Sequence, residues 1–178
     1  MIILVGASAS GKTEIAKKLI SQYDFQKVVT YTTRPKRIGE KNGIDYHFIS
    51  EKSFLEKKEK NFFLETTIYN GNYYGTPYDE IGLNKVLIVD PNGLKAFRDL
   101  NDKTIVTFYI IVSEEKRIER MKFRGDTNES IAKRIENDRK NFAYENIGNV
   151  DFVIEGENSS IVELTEEIFS KYASKVQL

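Results

Sequence analysis

A glycine-rich segment near the start of the chain constrains the fold more than any other feature. It reads GASASGKT from Gly6 to Thr13, and it follows the apolar run from Ile2 to Val5. The spacing is that of a phosphate-binding loop between a buried strand and a helix. Backbone N–H groups and the helix N-terminus of such a loop bind phosphate. The segment therefore predicts a nucleotide site, with Lys12 on the β- and γ-phosphates and the Thr13 hydroxyl on Mg²⁺.

Further apolar runs predict the other strands of the core. They occur at residues 86–89 and 105–112, with a shorter one at 152–154, and amphipathic helical patterns lie between them. Alternating strands and helices predict an α/β fold in three layers, with a parallel sheet covered by helices on both faces.

Two helix starts are marked by polar residues. Ser113 precedes Glu114 and Glu115, an N-cap followed by acidic residues in the first turn. Asp126 has Glu129 three residues further on, which predicts a capping box.

The length and charge of the chain limit the number of domains and the classes of partner that it can have. At 178 residues, one domain is expected, and 27 Lys and Arg balance 27 Asp and Glu. This balance indicates neither nucleic acid nor membrane as a partner. The chain has no cysteine and one histidine, which argues against a thiolate or histidine metal site. No stretch is long enough to span a bilayer, and we expect a cytoplasmic protein.

The segment from about residue 30 to 84 departs from this pattern. It is rich in Tyr, Thr, Gly and Asn, with strand-like runs at 46–49 and 62–69 and a turn at Asn70-Gly71. An antiparallel insert between two core strands is the simplest interpretation, and such inserts usually bind a ligand.

Three basic side chains lie close together where this insert begins. The run TTRPKRIGE from Thr32 to Glu40 contains Arg34, Lys36 and Arg37. Two arginines on a loop beside hydroxyls suit bidentate binding of a second phosphate. Taken alone, the run fits an ordinary solvated basic loop equally well.

In combination, these segments resemble the guanylate kinase family. The resemblance is carried by the phosphate loop, TTRPKRIGE, the later GIDYHF and FLE, and the run NYYGT from Asn72 to Thr76. It continues through a strand ending at an aspartate and an arginine-bearing lid, and so covers nearly the whole chain.

The resemblance implies a role for each matching residue. It places the GMP phosphate on Arg34, Arg37, Tyr46 and Tyr74, and guanine on Thr30, Glu65 and Thr76. Asp90 matches the second family aspartate after the central strand and is also assigned to GMP binding. It places ATP on Gly6, Ala7, Ser8, Ala9, Ser10, Gly11, Lys12 and Thr13. It assigns catalysis to Lys12, Arg34, Arg120, Arg124 and Arg134. Chemistry supports Glu65, because a carboxylate accepts both N1–H and N2–H₂ of guanine, whereas adenine has no N1 proton.

Three positions depart from the family pattern. Family members carry Asp-x-Asp-x-Gln-Gly where this chain reads IVDPNG, so Ile88 replaces the first aspartate. Gly156 stands where the family has an asparagine near adenine, with Asn158 as a candidate substitute. Glu14 replaces a second hydroxyl after the loop. These departures leave the rate and the substrate preference open.

We therefore expect a P-loop kinase that transfers a phosphoryl group from Mg·ATP to GMP, with dGMP open as a second acceptor. The expected core spans about 1–29, 85–118 and 148–178. The resemblance implies a small mixed α/β insert that binds the nucleoside monophosphate, at about 30–84, and a helical lid at about 119–147. A monomer or a homodimer is expected. Two alternatives remain, a non-catalytic binding module of the same fold and a related P-loop kinase with another phosphorylated small molecule as substrate.

Overall fold

The computed structural model describes residues 1–69 and 71–177, in which strands and helices alternate through most of the chain. The strands are β1 Ile2–Val5, β2 Gln26–Lys27, β3 Tyr31–Thr32, β4 His47–Phe48, β5 Phe63–Tyr69, β6 Asn72–Pro77, β7 Lys85–Ile88, β8 Val106–Ile111 and β9 Phe152–Glu155. The helices are α1 Lys12–Tyr23, α2 Glu51–Glu59, α3 Pro91–Asp99, α4 Glu114–Phe123, α5 Asn128–Asn141, α6 Tyr144–Ile147 and α7 Ile161–Val176.

The central layer is a parallel sheet with strand order β2-β7-β1-β8-β9. All four residues of β1 are fully buried because the strand lies in the middle of this sheet. Ile2 and Leu4 pack on one side with α1 and α7, and Ile3 and Val5 pack on the other side with α3. This alternation follows from the period of a strand, and it confirms the three-layer α/β prediction.

The segment after β2 forms a second sheet, in the order β4-β3-β6-β5. β5 pairs antiparallel with β6, and β6 pairs antiparallel with β3, as predicted. β3 and β4 pair in parallel, so the antiparallel prediction was wrong for β4. The Phe54 ring of α2 stacks on Phe63 at 4.6 Å between centroids and covers this sheet. The turn predicted at Asn70-Gly71 includes Asn70, which lies outside the described residues.

The two predicted helix starts have different outcomes. The Ser113 hydroxyl accepts the N–H of Lys116 and caps α4, as predicted. The predicted cap at Asp126 was wrong, since α5 is capped by Thr127, whose hydroxyl accepts the Ser130 N–H. Asp126 instead pairs with Arg124 in the connection between the two helices.

Within 1–69 and 71–177, no helix combines the length and the apolar character needed to cross a bilayer.

Candidate active site

The glycine-rich loop joins the end of β1 to the start of α1 and packs tightly against β8. A side chain at Gly6 would bring its Cβ within 2.7 Å of the Ile110 carbonyl oxygen. Gly11 precedes α1 with a φ of 105°, which an L side chain rarely adopts. Both glycines are therefore required by the path of the loop.

The Lys12 side chain curls over this loop. Its Nζ donates to the carbonyl oxygens of Gly6 at 2.6 Å and Ala7 at 2.7 Å, and to the Ser10 hydroxyl at 3.2 Å. Burial lowers the pKa of Lys12 to about 8. The ammonium is thus held by two backbone carbonyl oxygens and one hydroxyl of the loop itself.

A cavity of about 410 Å³ opens beside the loop, within the size range of ligand sites. It is lined by four regions, namely the loop, the second sheet with its preceding segment, the junction of β7 and α3, and the helices α4 and α5 with their ends. The predicted site residues that line it are Gly6, Ser8, Ala9, Lys12, Thr13, Thr30, Arg34, Arg37, Tyr46, Glu65, Tyr74, Thr76, Asp90, Arg124 and Arg134. The lining does not include Ala7, Ser10, Gly11 or Arg120.

The basic run is organised by a carboxylate that sequence reasoning did not single out. Glu40 accepts two hydrogen bonds from the Arg34 guanidinium, at 2.7 and 3.1 Å, and a third from the Arg37 N–H at 2.7 Å. The hydrogen bond from Arg34 lowers the pKa of Glu40, which keeps this carboxylate charged. The place of Glu40 within TTRPKRIGE, six residues after Arg34, was the available signal.

Two tyrosines complete this part of the cavity. The Arg34 guanidinium lies over the Tyr46 ring at 5.3 Å, and the rings of Tyr46 and Tyr74 are 6.0 Å apart. Burial raises the pKa of Tyr46, so its phenol stays a neutral hydrogen-bond donor. Arginine and phenol donors thus meet at one wall, which suits a phosphate.

The part of the cavity lined by the second sheet, called its base end below, holds a buried acceptor. Glu65 Oε1 accepts the Thr76 hydroxyl at 2.7 Å, whereas Glu65 Oε2 is buried and has no hydrogen-bond partner within the described part of the chain. Burial raises the pKa of Glu65 to about 7. A buried polar atom without a partner is costly, so this oxygen is ready for a ligand donor.

Asp90 lies near Glu65 and is held on both sides. Its Oδ1 accepts the Gly93 N–H at 2.8 Å and caps α3, and its Oδ2 accepts the Thr67 hydroxyl at 3.0 Å. Thr67 is a second residue that sequence reasoning missed. Its position two residues after Glu65, on the same face of β5, was the signal.

The three predicted lid arginines have different surroundings. Arg120 donates to the Ala9 carbonyl oxygen at 3.1 Å and to the Gly156 carbonyl oxygen at 3.3 Å. Arg124 pairs with Asp126, and Arg134 Nε donates to the Ser130 hydroxyl at 3.4 Å. Arg120 therefore braces the backbone of the loop, while the other two line the cavity.

Two of the departures in sequence are visible in the structure. Ile88 lines the cavity and is 36% exposed, so an apolar side chain replaces a carboxylate there. A Cβ on Gly156 would lie 3.0 Å from the Val112 side chain, so a larger residue would have to displace it. Asn158 is exposed and is not part of the cavity wall.

The donor set near the loop fits a magnesium ion carried by nucleotide phosphates. Thr13 is exposed and lines the cavity at the start of α1. Among the residues that the structure describes, no group of three His, Cys, Asp or Glu side chains could hold a metal. Mg²⁺ usually binds through few protein ligands, phosphates and water, and the Thr13 hydroxyl is a suitable protein ligand.

Comparisons with known proteins show the family of the chain. The chain matches the guanylate kinase family over residues 1–172. It is 30% identical over 176 residues to the guanylate kinase of Prochlorococcus marinus, covering 94% of each chain. It is 33% identical to that of Nitratidesulfovibrio vulgaris, over 79% of this chain and 72% of the relative. The crystal structure of guanylate kinase from Anaplasma phagocytophilum has a similar fold, with a TM-score of 0.72 at 24% identity, covering 98% of this chain and 85% of that one.

Proposed function

The chain belongs to the guanylate kinase family and transfers a phosphoryl group from ATP to GMP, and we propose that the transfer takes place in the cavity beside the glycine-rich loop. The observation that carries this proposal is Oε2 of Glu65, which is buried in the wall of the cavity that also holds Lys12 and has no hydrogen-bond partner among the described residues. One end thus offers phosphate-binding groups, and the other offers an acceptor for a base.

Guanine matches this acceptor. Its N1–H and N2–H₂ groups lie side by side, and an ionised carboxylate accepts from both. Glu65 Oε1 is already close to the Thr76 hydroxyl, which can rotate to contact the base. Adenine carries an acceptor at N1 and would place a lone pair against the carboxylate.

The phosphate of GMP would lie on the wall formed by Arg34, Arg37, Tyr46 and Tyr74. Because Glu40 fixes the Arg34 guanidinium, the positive charge is oriented before the substrate arrives. The attacking group is a phosphate oxygen that is already ionised at neutral pH, so no general base is needed. Catalysis would consist of positioning and charge stabilisation.

At the other end, ATP would bind along the loop from Gly6 to Thr13. Lys12 would exchange its carbonyl partners for the β- and γ-phosphates, with Arg124 and Arg134 near the transferred group. Thr13 would hold Mg²⁺, and the ion, when bound, neutralises phosphate charge. We also propose that the insert and lid surround the bound substrates and exclude water.

Several further features of the enzyme stay predictions. They are the expected boundaries of core, insert and lid, the monomeric or homodimeric state, and the absence of nucleic acid partners. A cytoplasmic location is supported by the cysteine-free composition, which suits a reducing compartment.

A substrate panel tests the proposed function. ADP release from Mg·ATP should be measured with GMP, dGMP, AMP, CMP and UMP as acceptors. We expect a preference for GMP over AMP of about 10⁴-fold, because AMP leaves buried polar groups unpaired. Glu65→Gln should show much weaker discrimination, since an amide donates as well as accepts. Comparable wild-type rates with GMP and AMP would contradict the role of Glu65 and favour a kinase for another substrate.

A further inference from the structure

A buried carboxylate from α5 is bound to the glycine-rich loop. Asp138 is 2% exposed. Its Oδ2 accepts the backbone N–H of Ser8 at 2.9 Å, and its Oδ1 accepts the Ser8 hydroxyl at 3.1 Å. The third residue of the loop therefore uses both of its donors on a side chain that is 130 positions away in the sequence.

An arginine from α4 joins the same contact. Arg117 NH1 donates to Asp138 Oδ2 at 2.7 Å and to the Ser8 carbonyl oxygen at 3.3 Å, and Arg117 is 6% exposed. The positive charge compensates a carboxylate that would otherwise repel a polyphosphate in the loop. Both helices are thus attached to one residue of the loop by charged hydrogen bonds.

These contacts affect the positions of Arg124 and Arg134, the two arginines of this part of the chain that line the cavity. Arg134 lies four residues before Asp138 on α5, so the two share a face of that helix. On α4, Arg124 caps the C-terminus seven residues after Arg117. Seven residues are about two helical turns, so Arg117 and Arg124 lie near one face of α4. Anchoring Asp138 and Arg117 on Ser8 sets the distance between the loop and both arginines.

We propose that Arg117 and Asp138 form a positioning pair for phosphoryl transfer. The pair holds the loop and the two arginine-bearing helices in the arrangement that binds ATP. Asp138 lines the cavity, but its carboxylate oxygens accept hydrogen bonds from Ser8 and Arg117, so the pair acts on the reaction through the position of the loop. The inference rests on the proposed function in that ATP is taken as the nucleotide of the loop.

A second ion pair between the same helices provides a matched control. Arg139 on α5 donates to Glu114 on α4, with Nε 2.9 Å from Oε2, and the Arg139 side chain is 68% exposed. This pair links the two helices without contacting the loop. If the buried pair acted only by joining α4 to α5, removing either pair would affect the kinetics in the same way.

The test compares two double variants with the wild type. Arg117→Met with Asp138→Leu removes the buried pair and keeps apolar volume, a replacement that buried ion pairs often tolerate. Glu114→Gln with Arg139→Gln removes the exposed pair. Equilibrium binding of Mg·ATP and of GMP should be measured separately by calorimetry, followed by kcat and KM for each substrate and thermal unfolding.

For the buried-pair variant, we expect kcat/KM for ATP to fall about 100-fold, because small displacements of reacting groups are costly. ATP binding should weaken as well, while GMP binding and folding stay as in the wild type. The exposed-pair variant should match the wild type in all measurements. Wild-type ATP kinetics in a folded buried-pair variant, or equal weakening of ATP and GMP binding, would overturn the proposal.

A milder variant keeps the proposal testable if the double replacement does not fold. Ser8→Ala removes the hydroxyl donated to Asp138 Oδ1 and leaves the backbone N–H in place. In nucleotide-free protein, we expect faster hydrogen exchange across residues 6–13 and restoration of slow exchange in Ser8→Thr. Unchanged exchange in Ser8→Ala would overturn the proposal. These readouts involve no GMP, so they are separate from a failure of the substrate panel.

Discussion

The two ends of the cavity differ in how their polar groups are satisfied. At the loop, the Lys12 ammonium has three hydrogen-bond acceptors from the loop itself. At the base end, Glu65 Oε2 is buried without a partner in the described residues. The loop therefore supplies acceptors for its own ammonium, whereas the base end presents a buried acceptor that a ligand donor can use. This contrast assigns charge stabilisation to one end and recognition to the other.

The largest effect is expected at the loop end, from Lys12→Ala. Turnover should fall about 1,000-fold, since this ammonium would stabilise the charge on the transferring phosphoryl group. GMP binding should not change, because Lys12 contacts only the loop. Steady-state rates and calorimetry measure both quantities. Lys17→Ala, an exposed lysine on the same helix, is the control, and equal rates in the two variants would contradict the contrast between the ends.

A smaller effect is expected between the ends, from Arg34→Ala. KM for GMP should rise and kcat should fall, with kcat/KM for GMP reduced about 100-fold, because a charged bidentate group is lost. ATP affinity should stay unchanged. Lys36→Ala alters an exposed neighbour in the same run and should have little effect. A loss of ATP affinity without a loss of GMP affinity would show that Arg34 binds ATP and not GMP.

The smallest effect is expected behind the base end, from Thr67→Val. The variant removes the hydroxyl that Asp90 Oδ2 accepts, while the Gly93 N–H still holds the other oxygen. Without this hydrogen bond, Asp90 is less well oriented, and we expect a loss of about 1 kcal/mol in the free energy of GMP binding. That loss weakens GMP binding about fivefold. Thr66→Val changes the next residue of β5, which points to the opposite face of the sheet. Equal GMP affinities in the two variants would show that Asp90 needs no support from Thr67.

Local patterns made much of the fold predictable. The fully apolar run at β1 and the glycine spacing after it determine the start of the core, because burial and backbone conformation there depend on near neighbours. Two-residue strands such as β3 and β4 carry no usable periodicity, so their parallel pairing was not foreseeable. The predicted cap at Asp126 failed because its carboxylate pairs with Arg124, and the next residue, Thr127, caps α5 instead.

The site was less predictable than the fold. Glu65 could be selected because a motif and the chemistry of guanine point to the same residue. Asp138 could not, since its partners Ser8 and Arg117 come from distant segments that no local pattern connects. Contacts of this kind join residues that are far apart in the sequence, and they form only when the helices pack together.

The most direct test of the account is the pH dependence of GMP binding. Burial raises the pKa of Glu65 to about 7, so at neutral pH about half of the free protein carries a protonated carboxyl. Two N–H donors of guanine favour the ionised form, and GMP should therefore lower this pKa and release about half a proton at pH 7.

Calorimetry in buffers of different ionisation enthalpy measures that release, and Glu65→Gln corrects for titration of the GMP phosphate. We predict proton release and tighter binding as pH rises from 6 to 8 in the wild type, both lost in Glu65→Gln. Identical proton release in the two proteins would contradict the assignment of Glu65 as the group that recognises guanine.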